Sequence, residues 1–300
     1  MADNTNYDII GDIHGHADEL ERLLQKLGYA RRFGVYSHPE KRQVVFVGDF
    51  IDRGPKIRET LHLVRDMVLS GNAQAVMGNH EFNAISFHTP HTENGGFFRD
   101  HSLKEITQHI ETLEQFRHYD SEWAEFLDWF KTLPLFLEFD AFRVVHACWD
   151  DAHIQFLQQY YKGISADFLS KGNDKTDTTG FYMAVEETLK GKESVLPEGY
   201  GFSDKDGNLR NECRIRWWRD PASRGKLKDV LIACPEEIAD GKIQDNYYAY
   251  TNPKPVFFGH YWLKGIPRIE NPKAICLDYS VAKGGVLVAC MLGDGMNLIY

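Results

Sequence analysis

The sequence predicts an α/β fold, and three observations carry that prediction. Short apolar or β-branched runs alternate with stretches of helical spacing between Tyr7 and Met77. Each apolar run feeds a glycine-containing turn. Strand-like runs then return in the last third of the chain, after Pro255. The order strand, helix, strand, helix, strand is that of a right-handed, largely parallel unit.

Taken in order, Tyr7 to Ile10 reads as the first strand. Ala17 to Gly28 reads as a helix, with Leu20, Leu23, Leu24 and Leu27 at helical spacing and Gly28 as its C-cap. Gln43 to Val47 is a near-continuous apolar run of the kind buried on both faces. Pro55 opens a helix that reaches about Ser70 and stops at Gly71. Ala73 to Met77 is the third strand. From Gly95 to Leu133 two helical pieces are expected, the second from Ser121, as N-cap, to Thr132. Its Trp123, Phe126, Leu127 and Phe130 form a stripe suited to packing on a sheet. Leu135 to Phe139 and Phe142 to Val145 read as a hairpin turning at Asp140-Ala141.

Periodicity weakens from Asp150 to Arg210. Lys171 to Gly180 reads as a polar loop and Gly199 to Asn208 as turn-rich. The series Asp204, Asp206, Asn208 is read as an Asp-Gly turn at Gly207, because its glycine is misplaced for a calcium loop. Strands are expected again over Pro255 to Phe258, Ala274 to Leu277, Val286 to Met291 and Met296 to Tyr300. Without a repeat or linker, residues 1–300 read as one domain, with 150–250 its variable, substrate-facing region.

Composition narrows the function. With 43% hydrophobic residues the chain can bury a sizeable core, and no apolar run is long enough to cross a membrane. No secretory signal is visible at the start, and five cysteines without a CxxC spacing read as reduced thiols, so a cytoplasmic location is expected. A net charge of −10, with scattered basic residues, argues against duplex nucleic acid as a partner. It leaves room for a phosphorylated substrate, since bound cations dominate their local field.

Five stretches carry the chemistry: Gly11-Asp12-Ile13-His14-Gly15, Gly48-Asp49-Phe50-Ile51-Asp52-Arg53-Gly54, Gly78-Asn79-His80-Glu81, His146-Ala147 and Gly259-His260. Each reads as a strand end entering a turn. Asp12 and His14 are two apart, so an extended backbone points both the same way. Asp49 supplies two oxygens able to bridge two ions, Asn79 a neutral oxygen, and His146 and His260 two imidazoles. Mixed nitrogen and oxygen donors without thiolate suit Mn²⁺, Fe or Zn²⁺ better than Ca²⁺, with manganese the first expectation. A pair of such ions can clamp the attacking and leaving oxygens of a displacement at phosphorus.

Gly-Asp-x-His-Gly, Gly-Asp-x-x-Asp-Arg-Gly and Gly-Asn-His-Glu, in this order, resemble the phosphoprotein phosphatase superfamily of calcineurin-like metallophosphoesterases. The resemblance is tight over residues 7–82 and returns at 132–148 and 255–261. It implies two mixed β-sheets packed as a sandwich flanked by helices. It also implies two divalent ions per chain, the first held by Asp12, His14 and Asp49, the second by Asp49, Asn79, His146 and His260. A water or hydroxide shared by the ions would be the nucleophile and His80 the general acid, oriented by Asp52. Arg53 and Asn79 would meet the phosphate, and glycines 15, 48, 54 and 78 would let the backbone turn beside the ions. A second phosphate arginine is expected in Arg214-Ile215-Arg216-Trp217-Trp218-Arg219. Arg216 is preferred, and an extended strand would put Arg214 on its face; Arg219 is the third candidate.

Two departures accompany the resemblance. Cys148-Trp149 follow His146-Ala147 where the protein phosphatases usually place glycine, and Cys148 is read as a packed thiol. Arg99, after the third motif, is flagged as able to meet substrate. Three functions follow. Hydrolysis of phosphomonoesters, on phosphoprotein or small esters, is placed first, with Glu81 leaning that way. Hydrolysis of dinucleoside polyphosphates is the alternative, and Trp217 or Trp218 could then stack on a base. A non-catalytic metal-binding protein is the third. Oligomeric state is left open.

Overall fold

Alternate residues of the central strands part into different cores, and that alternation builds the molecule. The computed structural model describes residues 6–91, 95–196, 200–203, 209–232, 234–243 and 247–300. One sheet contains β1 (Tyr7–Ile10), β2 (Gln43–Phe46) and β3 (Ala73–Ala75). The other contains β4 (Phe136–Glu138), β5 (Arg143–Val145), β6 (Val256–Phe258) and β7 (Ala274–Cys276). β8 (Ala289–Leu292) and β9 (Met296–Ile299) return to the first sheet, whose order is β9-β8-β1-β2-β3. The second sheet runs β7-β6-β5-β4. β1, β2 and β3 are parallel, β8 pairs antiparallel with β1 and β9 antiparallel with β8; β5, β6 and β7 are parallel and β4 pairs antiparallel with β5. Both sheets are therefore mixed.

Ile9, Val45, Val144, Phe257 and Ile275 share one core between the sheets. Their neighbours Ile10, Val44 and Phe46 face a second core, against helices. Val145, Val256, Phe258 and Cys276 face a third, with Trp217, Trp218 and Tyr250. Period-two side-chain alternation thus makes each strand a wall shared by two layers.

The helices are α1 (Ala17–Lys26), α2 (Ile57–Leu69), α3 (Asn79–His88), α4 (Leu103–Phe116), α5 (Asp120–Phe130), α6 (Asp151–Tyr160), α7 (Ala166–Asn173) and α8 (Phe181–Lys190). Several differ from the sequence expectation. α2 begins at Ile57 rather than Pro55, because Lys56 N–H donates to Gly15 O at 2.9 Å and holds the preceding turn on the first motif. α5 is entered from Tyr119, with Ser121 already inside. α3 was not expected: nearly all its side chains are buried, so it lacks the one-sided stripe that marks an amphipathic helix. The weakly periodic stretch after Asp150 holds α6, α7 and α8; the expected Lys171–Gly180 loop begins inside the end of α7, and its residues 174–180 lie outside any helix. The Asp204, Asp206, Gly207 and Asn208 turn lies outside the described residues. No helix among the described residues is long and apolar enough to cross a membrane.

Candidate active site

The nominated side chains converge where strands of both sheets end. β1 leads into Asp12 and His14, β2 into Asp49, β5 into His146 and β6 into His260, while Asn79 and His80 open α3. All seven are buried. Asp49 is central: its Oδ2 lies 3.5 Å from His14 Nε2, 3.4 Å from His146 Nε2 and 3.9 Å from His80 Nε2. Its Oδ1 accepts from His80 N–H at 3.0 Å. Ligating atoms of Asp49, His146 and His260 lie within 4.8 Å of one another, as do those of His14, Asp49 and His80.

Each imidazole is oriented by its other nitrogen. His14 Nδ1 donates to Ile51 O at 2.9 Å and His146 Nδ1 to Val47 O at 2.8 Å, so both direct Nε2 at Asp49. Asn79 Oδ1 accepts from His260 Nδ1 at 2.8 Å and lies 3.1 Å from His146 Nε2. Asp12 Oδ2 accepts the His260 N–H at 2.9 Å. Close approach requires glycine here: a Cβ on Gly259 would lie 1.7 Å from Asp12 Oδ1, and one on Gly78 2.2 Å from Asp49 Oδ1. The backbone is strained at the same place. His14, Asp49, Asp52, Arg53, His260 and Trp262 all have φ between 46° and 73°. Non-glycine residues hold this left-handed conformation only where their surroundings impose it.

His80 Nδ1 donates to Asp52 Oδ2 at 2.5 Å. Asp52 Oδ1 in turn accepts from His109 Nδ1 at 2.7 Å and Thr112 Oγ1 at 2.5 Å, both on α4. Burial would raise Asp52, but His109 and His80 hold it well below the carboxylate range. It is therefore an anion that fixes the His80 ring. Glu81, fully buried, accepts from the N–H groups of Gly78, Asp49 and Phe50 at 3.0, 2.9 and 2.8 Å. It braces the Asp49 turn against the start of α3 and has no surface for a substrate. Burial, helped by Asp49, lifts it to about 7.

The electrostatics fit a cation site. Burial, reinforced by Asp278, lifts Asp12 well above the carboxylate range, and burial lifts Asp278 too. Burial would also raise Asp49, yet His146 and His80 hold it well below. His146 rises to about 10 despite burial, because Asp49 faces it, while burial and Arg53 lower His14 to about 3. Carboxylates crowded at such cost need positive charge, and protons on imidazoles supply it incompletely. Asp12 Oδ1 and His260 Nε2 are buried and lack any hydrogen-bond partner. Unpaired donors of this type, beside carboxylate, amide oxygen and imidazole, match first-row divalent ions.

The arginines separate. Arg53 Nη1 sits 3.0 Å from His14 Nε2, beside the proposed ligands. The strand expected through Arg216 ends at Arg214, and the chain turns at Trp217-Trp218, so no extended run aligns the two arginines. Arg214 acts on the buried His260, which burial first and Arg214 next hold well below its ordinary range. Arg216 instead sits with Arg219 and Glu270, and Arg219 Nε lies 3.8 Å from Glu270 Oε2. Arg99 lines a small cleft with Asp52, His80, Asn83 and His109. Its guanidinium donates to Asn83 Oδ1 at 3.0 Å and to Glu105.

Burial pushes the Cys148 thiol well above its ordinary value. Trp217 and Trp218 are 0% and 2% exposed, which closes base stacking to them. Trp217 Nε1 lies 3.1 Å from Ala147 O and 2.9 Å from Tyr261 Oη, so it donates between the His146 and His260 segments. Sequence reasoning missed His109, Thr112 and Asp278, which lie far along the chain from their partners and carry no local motif. A third acid–imidazole cluster, Asp150, His153 and Glu187, already holds the Lys192 ammonium.

A bis(5'-nucleosyl)-tetraphosphatase (asymmetrical), PrpE, of Oceanobacillus iheyensis is 31% identical over 175 residues, 58% of this chain and 63% of that protein. Its counterpart from Halalkalibacterium halodurans is 51% identical over 74 residues, 25% of this chain and 30% of its own length. Neither match reaches two thirds of the relative. The fold aligns with a solved cold-active protein tyrosine phosphatase at TM-score 0.50 and 14% identity, over 97% of this chain and 74% of that one. A solved structure described provisionally as a diadenosine tetraphosphatase gives TM-score 0.50 and 16% identity, over 99% and 94%. The calcineurin-like phosphoesterase pattern matches residues 6–261, and the chain belongs to that family.

Proposed function

We propose that the protein is a metal-dependent phosphoric ester hydrolase that cleaves a phosphoanhydride bond of dinucleoside polyphosphates. The observation that carries the reaction class is the convergence on Asp49 of the buried donors His14, His80 and His146, with Asn79 and His260 alongside. Asp12, His14 and Asp49 would hold one ion, and Asp49, Asn79, His146 and His260 the other. Such ions supply Lewis acidity toward phosphoryl oxygen and water.

The chain does the rest. Arg53 offers a planar fork to phosphoryl oxygens, and Arg214 adds positive charge on the His260 side. His80, its Nδ1 engaged by Asp52, presents Nε2 to give a proton to the leaving oxygen. His109 and Thr112 keep Asp52 in place.

The sequence alone placed phosphomonoesters first, partly on Glu81. That residue is buried under three backbone N–H groups and cannot read a substrate. The relatives' names favour the dinucleotide reading instead. Incubation with diadenosine tetraphosphate and Mn²⁺, followed by product chromatography, tests it. The expected result is one water consumed per molecule, giving AMP and ATP. Release of phosphate from a phosphopeptide or aryl phosphate, with the dinucleotide untouched, would restore the monoesterase reading.

A further inference from the structure

Arg53 enters the site from a strained support. Its φ is 70°, and Gly54 N–H donates to Asp52 O at 2.8 Å, so Arg53 stands at the apex of a three-residue turn. That turn fixes the root of the side chain, while the long stem leaves its head free. Among the described residues the guanidinium makes no ion pair, and its hydrogen-bond partner is His14 Nε2 at 3.0 Å. That nitrogen is a proposed metal ligand. An imidazole nitrogen that ligates has no lone pair left for Arg53.

Trp262 supplies the other contact. Arg53 Cζ lies 3.9 Å from the centre of its ring, and the ring centre of His14 is 5.8 Å from the indole. The indole is half-buried and is itself held in place. Trp262 has φ 53°, an unusual conformation for a bulky residue. Just past β7, the buried Asp278 imposes it. Asp278 Oδ2 accepts the Trp262 N–H at 2.7 Å, and its backbone O accepts the Leu263 N–H at 2.9 Å. Ser280 N–H donates to Asp278 Oδ1 at 2.9 Å and so fixes the carboxylate.

We propose that Trp262 is a positioning residue, whose ring fixes the Arg53 guanidinium in the pose that receives a phosphoryl group beside the metal ligands. The assignment rests on the phosphoesterase reading above and holds for whichever phosphoric ester the site cleaves. A cation over a ring face is attracted by the ring quadrupole, most strongly for tryptophan. Stacking engages the face of a guanidinium and leaves its N–H edge for oxygen acceptors, so ring and phosphoryl group do not compete. It also restricts the side chain before the ligand arrives, which lowers the ordering cost of binding. Lys283 Nζ lies 3.6 Å from the same ring centre, so an effect through Arg53 has to be separated from one through Lys283.

A double-mutant cycle makes that separation, read as the affinity of Mn²⁺-loaded protein for inorganic phosphate by calorimetry at constant free Mn²⁺. Trp262→Leu should weaken phosphate binding by about three- to tenfold, with metal content unchanged by elemental analysis. Trp262→Phe keeps a ring face and should retain most of the affinity. Arg53→Ala should weaken binding by about tenfold or more, the scale of lost charge-assisted bonds. Adding Trp262→Leu to Arg53→Ala should cost nothing further. An equal loss from Trp262→Leu with and without Arg53 overturns the assignment. So does unchanged affinity or a lost ion in Trp262→Leu, or a Trp262→Phe variant as weak as Trp262→Leu. Each of these leaves the phosphoesterase reading standing. Wild-type protein that binds no phosphate, or Arg53→Ala protein that binds it as well as wild type, overturns the assignment together with the phosphate role of Arg53.

Discussion

His80 shows how much a single side chain's role depends on which of its atoms are already engaged. Its Nδ1 is held by Asp52, its backbone N–H by Asp49, and only Nε2 remains for a reacting oxygen. His80→Asn should therefore lower turnover by roughly 10²–10⁴-fold, the range for losing a general acid, while elemental analysis finds the metal content unchanged. Loss of both metals in that variant would make His80 a ligand instead. Gly259→Ala should act in the opposite way. Its Cβ would strike Asp12 Oδ1, so metal content should fall before any effect on a metal-independent fold signal such as far-ultraviolet circular dichroism. At this scale the sequence was most legible where chemistry sits beside a glycine. Asp12, Asp49, Asn79 and His260 could be nominated because their turns are written next to them. His109 could not: it meets Asp52 across 57 positions of sequence, and nothing in its own helix announces the contact. The expectation that Arg214 and Arg216 share a strand face depended on where the strand ends, and it ends at Arg214.

At the scale of elements, strands and buried helices are fixed by different information. β2 and β6 were legible because a strand buried on both faces is near-continuously apolar. α3 was invisible because a helix buried all round has no polar face to contrast with its apolar one. α6 and α7 left a fainter trace in their caps. Asp150 Oδ1 accepts from Ala152 and His153 N–H, and Ser165 Oγ from Phe168 N–H. The first sheet contains one element-level liability: Asp8, fully buried in β1. Arg42 grips it through Nη2 at 2.6 Å and Nε at 2.9 Å, and Tyr29 Oη donates to it at 2.8 Å. Arg42 Nη2 also reaches Leu292 O at 2.8 Å, tying β8 to the same cluster. Arg42→Ala should cost about 3–5 kcal/mol in denaturant unfolding, the scale of stranding one partner of a buried pair. A loss under ~1 kcal/mol, typical of exposed pairs, would show that water reaches Asp8.

Across the whole molecule, two sheets give the site its form. Each sheet ends its parallel strands at the same edge, so ligands far apart in sequence meet there. Period-two alternation fixed that layering, and the family resemblance supplied the sandwich that periodicity alone could not. The central claim is that six side chains gathered at that edge hold two divalent ions. Calorimetric titration of chelator-stripped protein with Mn²⁺, followed by elemental analysis of the desalted complex, tests it most directly. The expected result is two ions bound per chain, with activity lost on chelation and restored by Mn²⁺. Binding of no ion, or full activity in excess chelator, would contradict it.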